Sequence, residues 1–445
     1  MTDKPMLLFQ GPIRSRSGYG DHARDLIISL FDMNKFDIRI ASNRWGDCPE
    51  TGLHGNPYRA RIESRILKEH KLEKKPSIYI HCSVPSEFIP IGEFNIGVTA
   101  GIETTVADPS WVSGCNKMDL IIVPSEHSKA TLQQSVYDQI DDRTKQKTGE
   151  LKLVKPIEVL FEGADLNLFK QIDSFNHIKD LDTSLNTVQE DFNFLYVGHW
   201  LNGKLGHDRK DTGMLIKTFC KAFNGAKVKP GLILKTSMAT FSIIDRNNIL
   251  EKVERIRNEF DDAPNVYVLH GDLTTEEING LYNHPKVKAH ISFTKGEGFG
   301  RPLLEASISG KPVIASAWSG HIDFLHPEFT TLLPGDLKPV HKSAQWKGVI
   351  NEGTHWFYVN YSIAETVIRD VYSSYERYKE LGMKQSAYSI KNFSLDKMKE
   401  IFTQLIEKYV KIDNIPQQVK LSLPKLKKAG KVPATQLKLP KLKKA

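Results

Sequence analysis

Short apolar, β-branched runs alternate along the chain with stretches whose apolar residues recur at helical spacing. "PMLLFQG" opens the series, followed by the loop "PIRSRSGYG" and the helical pattern "DHARDLIISLF". "KFDIRIAS", "PSIYIHCS", "NIGVTAG", "MDLIIVP" and "IEVLFEGAD" continue it, with Ser125 placed to cap a helix in "PSEHSKATLQQSVY". After a polar stretch a second series begins: "FNFLYVGHW", "GLILKTS", "NVYVLHG", "VKAHISF", "KPVIAS" and "TTLLPG". Such alternation predicts βα units and mostly parallel sheets, an α/β fold. The 445 residues have room for two cores.

The same pattern divides the chain. A first unit spans 1–165, a polar linker 166–190, a second unit 191–361 and a helical region 362–412. The remainder, 413–445, contains "KLSLPKLKKA" and its near-copy "QLKLPKLKKA", each interrupted by a proline that opposes a continuous helix. From Lys420 onward there are nine lysines and no acid. The net charge of +8 therefore belongs to this tail, because the rest of the chain carries 52 of the 61 basic residues against 53 acidic ones. Composition predicts a disordered, solvated tail, or one that docks on a protein partner, an anionic membrane surface or nucleic acid. It has no aromatic residue to stack on bases.

Four scattered cysteines suggest neither a disulfide framework nor a zinc site, and the apolar runs are strand-sized. The N-terminus lacks the features of a signal peptide. A cytoplasmic protein is expected, with peripheral membrane contact through the tail as a further reading.

One stretch carries the chemistry: "TKGEGFGRPLLEASISGKPVIAS", residues 294–316. A strand runs into a glycine loop and then a helix that starts near Arg301, with Pro302 in its first turn and Gly310 at its stop. Unpaired N–H groups at such a helix start, with glycines that let backbone approach closely, suit a diphosphate. The spacing departs from the dinucleotide fingerprint, and no acid follows about twenty residues later. Glu297 and Glu305 instead suit hydroxyls, one on a sugar and one on a ribose.

With these residues in view the chain resembles the family 4 retaining glycosyltransferases of the GT-B fold, whose signature is Glu-x7-Glu. The resemblance extends over residues 5–410, through "SRSGYGDHARDL", "GVTAGIETTVADPSWVSGCNKMDLIIVPSEHSK" and "VLFEGADLNLF". It implies two Rossmann-like domains facing across a cleft, the first on the acceptor side and the second binding the nucleotide-sugar, with C-terminal helices crossing back. It further implies that Glu297 contacts the transferred sugar and Glu305 the ribose, while the amides of Gly298, Phe299 and Gly300 meet the distal phosphate and sugar. Lys210 matches the family's diphosphate lysine, with Arg209 beside it.

Two positions depart from the family. His199 stands where a basic residue is common, which would make diphosphate binding more pH-dependent, and Asp211 stands where a glycine is usual. No metal and no cofactor are expected beyond the nucleotide-sugar co-substrate. The single Asp-x-Asp, Asp180-Leu181-Asp182, falls in the polar linker and is not read as a metal site.

On the acceptor side, Gly18 and Gly20 permit close approach to a phosphate or simply form a tight turn. Arg14 and Arg16 are candidates for an anionic acceptor or ordinary surface arginines. His81, at a strand end, is a candidate for proton transfer or a satisfied structural histidine. Glu103 binds acceptor hydroxyls or anchors a loop. The expected function is transfer of a sugar to a hydroxyl acceptor in glycan or glycoconjugate synthesis. Alternatives are glycosylation of hydroxymethylated DNA bases and a catalytically idle binding protein on the same fold.

Overall fold

The computed structural model describes residues 4–68, 72, 74–201, 203–238 and 240–410, so the lysine repeats lie outside the described residues. The first unit contains β1 (Met6–Gly11), β2 (Asp37–Ser42), β3 (Ile78–Cys82), β4 (Phe94–Val98), β5 (Leu120–Val123), an antiparallel hairpin β6 (Tyr137–Ile140) and β7 (Lys147–Leu151), and β8 (Ile157–Val159). Six of these strands form a parallel sheet in the order β2-β1-β3-β4-β5-β8. Helices cover both faces, which explains why strands such as "LLF" and "IYI" are apolar throughout rather than alternating.

The second unit repeats the plan with β9 (Asn193–Val197), β10 (Gly231–Lys235), β11 (Val266–Leu269), β12 (Val287–Ser292), β13 (Val313–Ser316) and β14 (Thr331–Leu333). Their order is β11-β10-β9-β12-β13-β14, again parallel. An antiparallel pair, β15 (Gly335–Pro339) and β16 (His355–Val359), follows. Every strand anticipated from the apolar runs is present. The apolar runs do not anticipate either antiparallel pair, because β6 and β7 expose polar residues on both faces and β15 is largely exposed.

The stretch 166–190 is more structured than its polar pattern suggests. It holds a 3-10 turn, Asn176–Ile178, and a helix, Lys179–Asn186, whose Leu181 and Leu185 pack beside Leu281 and Tyr282 in the second core. Leucines four residues apart lie on one helix face, and two are enough to fix so short a helix.

The chain then returns. Helix Tyr375–Asn392 lies along the second unit, and helix Leu395–Tyr409 packs Leu395, Met398, Phe402, Leu405 and Ile406 into the core of the first. At the crossing, Ala164 N donates to Phe393 O at 3.0 Å and Leu395 N to Ala164 O at 2.7 Å. Gly163 lets the two passes touch, since a Cβ there would lie 2.5 Å from Leu395 Cα. No helix among the described residues is long and apolar enough to cross a membrane. Phe402 is fully buried, so Phe402→Ala should cost about 3–5 kcal/mol in urea unfolding. A loss well under 1 kcal/mol would mean that the returning helix does not belong to the first core.

Candidate active site

The loop after β12 and the helix Arg301–Ile308 present Glu297 at the domain boundary. Gly300 caps the helix with φ 100°, Pro302 sits in its first turn, and Gly310 stops it with φ 77°. Glu297 is 7% exposed. Its N–H donates to Ser319 Oγ at 2.9 Å, and its Oε1 accepts from Thr294 Oγ1 at 2.6 Å and pairs with Lys210 Nζ. Arg209 Nη1 lies 3.2 Å from Glu297 Oε2 and donates to Gly296 O at 2.7 Å, while its Nε meets Glu103 Oε2 at 2.8 Å. Four expected residues, Glu103, Arg209, Lys210 and Glu297, thus converge from both domains. Burial alone would raise the Glu297 carboxyl, but Lys210 and Arg209 outweigh it and hold it at about 2. Burial lowers Lys210, and Glu297 works against that shift.

The loop that carries Arg209 and Lys210 is held from below by a residue not singled out from sequence. Lys295 is fully buried, donates to Gly206 O at 2.6 Å and Asp208 O at 2.9 Å, and lies 3.0 Å from Asp211 Oδ1. Asp211 has φ 53°, the left-handed conformation a glycine would adopt, and its Oδ2 accepts from Tyr361 Oη at 2.5 Å. Asp211 therefore holds a left-handed backbone that a glycine adopts freely, and it adds a buried ion pair. Breaking such a pair by removing one partner costs several kcal/mol.

Two glycines of "GEGFG" also have a packing role. A Cβ on Gly298 would lie 1.7 Å from Ala100 O, and one on Gly296 would lie 2.0 Å from Glu103 O. Ser125 Oγ donates to Gly298 O at 2.6 Å. In this structure both residues admit the backbone of the first domain. The side chain of Phe299 is core, 4.9 Å from Phe324 between ring centroids. On the other side, Gly18 and Gly20 lie in the first turn of the helix Gly18–Met33; a Cβ on Gly20 would lie 2.2 Å from Ser15 O, whereas Gly18 has open space around it.

Glu305 accepts from Arg301 Nε at 3.0 Å, and burial pushes its carboxyl up to about 7. Arg301 Nη1 also reaches Asp25 Oδ2 at 2.7 Å and Glu162 Oε2 at 3.8 Å across the cleft. Arg301 thus ties the second glutamate of the pair to the first domain, an ion-pair cluster that no local sequence pattern reveals. Burial raises Glu162 further, to about 8.

The remaining candidates separate. His199 Nδ1 lies 3.1 Å from Ser237 Oγ; burial and then Lys210, Lys235 and Arg209 lower its pKa, so it is a neutral ring rather than a replacement cation. His81 is not brought to Glu297: it packs 5.7 Å from Tyr79 and 5.5 Å from Phe88, and burial lowers it to about 4. Neither of its ring nitrogens has a hydrogen-bond partner among the described residues, so it is not a satisfied structural histidine either. Arg16 spans the domains, with Nε 3.2 Å from Asp272 Oδ1 and Nη2 donating to Leu273 O, while Arg14 is exposed. Asp182 Oδ1 lies 3.3 Å from His284 Nε2, and Asp180 lies in the first turn of the helix Lys179–Asn186.

The acid cluster has a titration signature. A carboxyl whose pKa is raised on folding contributes stability below its unfolded value, lost as pH rises through its folded value. With Glu162 at about 8, the melting temperature of the wild type relative to Glu162→Gln should fall between pH 5 and pH 8. A difference that stays constant over that window would show that Glu162 titrates as an ordinary acid.

No family model and no curated protein matches the chain. Solved structures do match. Sucrose-phosphate synthase from Thermosynechococcus elongatus has a TM-score of 0.60 at 14% identity, over 91% of this chain and 98% of that one. Anabaena HepE in complex with UDP and glucose has a TM-score of 0.59 at 13% identity, over 91% and 100%. A glycosyltransferase from Rickettsia africae has a TM-score of 0.58 at 14% identity, over 92% and 99%. Identities this low speak for the fold alone, and with the two six-stranded parallel sheets they show that the chain has the GT-B architecture of these proteins.

Proposed function

We propose that the chain transfers a sugar from a nucleotide-sugar to a hydroxyl acceptor, with retention of configuration at the sugar. The observation that carries this reading is the convergence of Lys210 and Arg209 on Glu297 beside a helix start, with Glu103 reaching in from the facing domain. Two half-buried cations suit a diphosphate leaving group, because they neutralise the charge that develops as the sugar–phosphate bond breaks. A carboxylate held at about 2 is ionised across physiological pH and accepts hydrogen bonds from sugar hydroxyls.

The pairing suggests an exchange. With no diphosphate bound, Lys210 and Arg209 satisfy Glu297. A diphosphate takes over the two cations and leaves Glu297 oxygens for the sugar. Glu305 takes the ribose, and the neutral ring of His199 donates a hydrogen bond to phosphate. The leaving phosphate oxygen then accepts the proton of the attacking acceptor hydroxyl, so no enzymic nucleophile is required. HepE, solved with UDP and glucose, makes a UDP-sugar the first donor to try.

Thermal-shift measurements with UDP-, GDP-, ADP- and CDP-sugars test the reading. One donor should raise the melting temperature, and Lys210→Ala should abolish that shift. Glu297→Gln should keep donor binding and lower kcat by about 100-fold or more. A wild-type protein that no donor stabilises, or a Glu297→Gln variant with normal turnover, would overturn it.

A further inference from the structure

Residues 340–354, between β15 and β16, leave the second domain as a strap that lies on the first. At its start the His341 ring stacks on His207 with 3.8 Å between centroids, and Ser343 Oγ lies 3.5 Å from His207 Nδ1. At its end Asn351 Nδ2 donates to Asp108 Oδ2, and His355 N donates to Thr105 Oγ1 at 3.1 Å. The end of β15 joins the same surface. Lys338 Nζ lies 5.8 Å from the ring centroid of Tyr358, Lys295 Nζ lies 4.3 Å from it, and Lys295 donates to Gly206 O. The loop 204–207, the end of β15 and the strap are therefore neighbours. Trp346 stands three residues beyond Ser343, within about 10 Å of it along the chain.

These segments share a composition. Residues 204–207 and 338–347, "KLGH" and "KPVHKSAQWK", hold four lysines and no acid. All four lysines are exposed, while Asp208, next in the loop, is only 3% exposed. The exposed acids Asp336 and Glu352 flank the second segment in sequence. Among the lysines stand Leu205, 43% exposed, and Trp346, 67% exposed. The other five tryptophans are buried or half-buried. A single exposed apolar residue needs no explanation, but an indole and a leucine set among lysines on adjoining loops make a surface of mixed character.

We propose that Lys204, Leu205, Lys338, Lys342, Trp346 and Lys347 dock this face on an anionic lipid surface. The indole sits at headgroup level and the lysines lie against lipid phosphates. The tail, whose lysine repeats lie outside the described residues, carries the same chemistry in its sequence, each ten-residue copy setting three leucines among lysines. One weak attachment to a bilayer is marginal, and stable anchoring takes two. The apolar members decide between a membrane and a nucleic acid. Leucine finds nothing to bind on a phosphodiester backbone, whereas leucine and indole both enter the boundary between headgroups and acyl chains. Docking itself is independent of the transferase reading. On that reading, the docked loop runs on into Arg209 and Lys210, so the cleft is brought to hydroxyl acceptors borne by lipid.

The full chain is mixed with vesicles of phosphatidylcholine, alone or with phosphatidylglycerol, and binding is read by sedimentation. Brominated acyl chains in the same vesicles quench tryptophan at the headgroup boundary. Because the tail has no tryptophan, quenching reports the folded body and not the tail. The chain should sediment with the anionic vesicles and be quenched, and Trp346→Ala should lose the quenching. Lys342→Glu with Lys347→Glu should weaken binding about tenfold or more. All three residues are exposed, so these variants should keep the wild-type melting temperature. No sedimentation with anionic vesicles overturns the proposal, as does equal sedimentation with phosphatidylcholine alone. Sedimentation without quenching overturns it too, by leaving attachment to the tail. A duplex DNA bound in place of vesicles, and lost in the double lysine variant, would assign the face to nucleic acid instead.

Discussion

Lys295 is the charge on which the geometry of the cleft rests. Its ammonium has no exposure to water, so its position is set by what it satisfies: two carbonyls of the loop 206–208, the Asp211 carboxylate, and the face of Tyr358 at 4.3 Å. Its backbone is equally committed, with Lys295 N donating to Arg209 O at 2.8 Å and Phe357 N to Lys295 O at 3.0 Å. One residue therefore ties the loop carrying Arg209 and Lys210, the loop carrying Glu297, and the strand β16. Leaving a buried ammonium unpaired is expensive, so these three segments hold their relative positions as a unit. The placement of Lys210 against Glu297 follows from that unit, not from their own attraction alone.

The two domains meet through backbone as much as through charge. Gly296 and Gly298 remove the Cβ atoms that would strike Glu103 O and Ala100 O, and Ser125 then reaches Gly298 O. Asp323 Oδ2 accepts from Glu126 N at 2.8 Å, so a carboxylate of the second domain caps a helix of the first. Charge pairs alone tolerate displacement of an ångström or more; contacts made through missing side chains do not. The close approach of the two domains is thus fixed sterically, with Arg16, Arg209 and Arg301 adding charge across the same boundary.

What the sequence discloses and what it withholds divides along a physical line. Strands of both sheets are legible because each is a local apolar run, and the helix after Glu297 because Pro302 and Gly310 mark its ends locally. Glu297, Lys210 and Glu103 are legible through motif. Lys295 lies inside the stretch 294–316 without a motif of its own, and Asp211 in place of a glycine is half of its signal: a carboxylate in a buried loop requires a cation. Glu305 lies one helical turn from Arg301, but only topology brings Asp25 and Glu162, more than a hundred positions away, to the same guanidinium. The glycines suit close approach of backbone, and Gly296 and Gly298 give it to the facing domain; a missing Cβ does not say which neighbour needs the space.

Arg301 and the Arg209–Lys210 pair divide the cleft into two electrostatic regions of opposite balance. Around Glu297, two cations face two carboxylates, and burial fails to keep Glu297 protonated because the cations are close. Around Arg301, one cation faces Asp25, Glu162 and Glu305, and burial wins, raising Glu162 to about 8 and Glu305 to about 7. The first region can accept a dianionic group by exchanging one anion for another. The second cannot accept further negative charge, but carboxyls near neutrality there both donate and accept hydrogen bonds. A ligand with a diphosphate at one end of its reach and hydroxyls at the other matches that division, which supports a nucleotide-sugar over a simple polyanion.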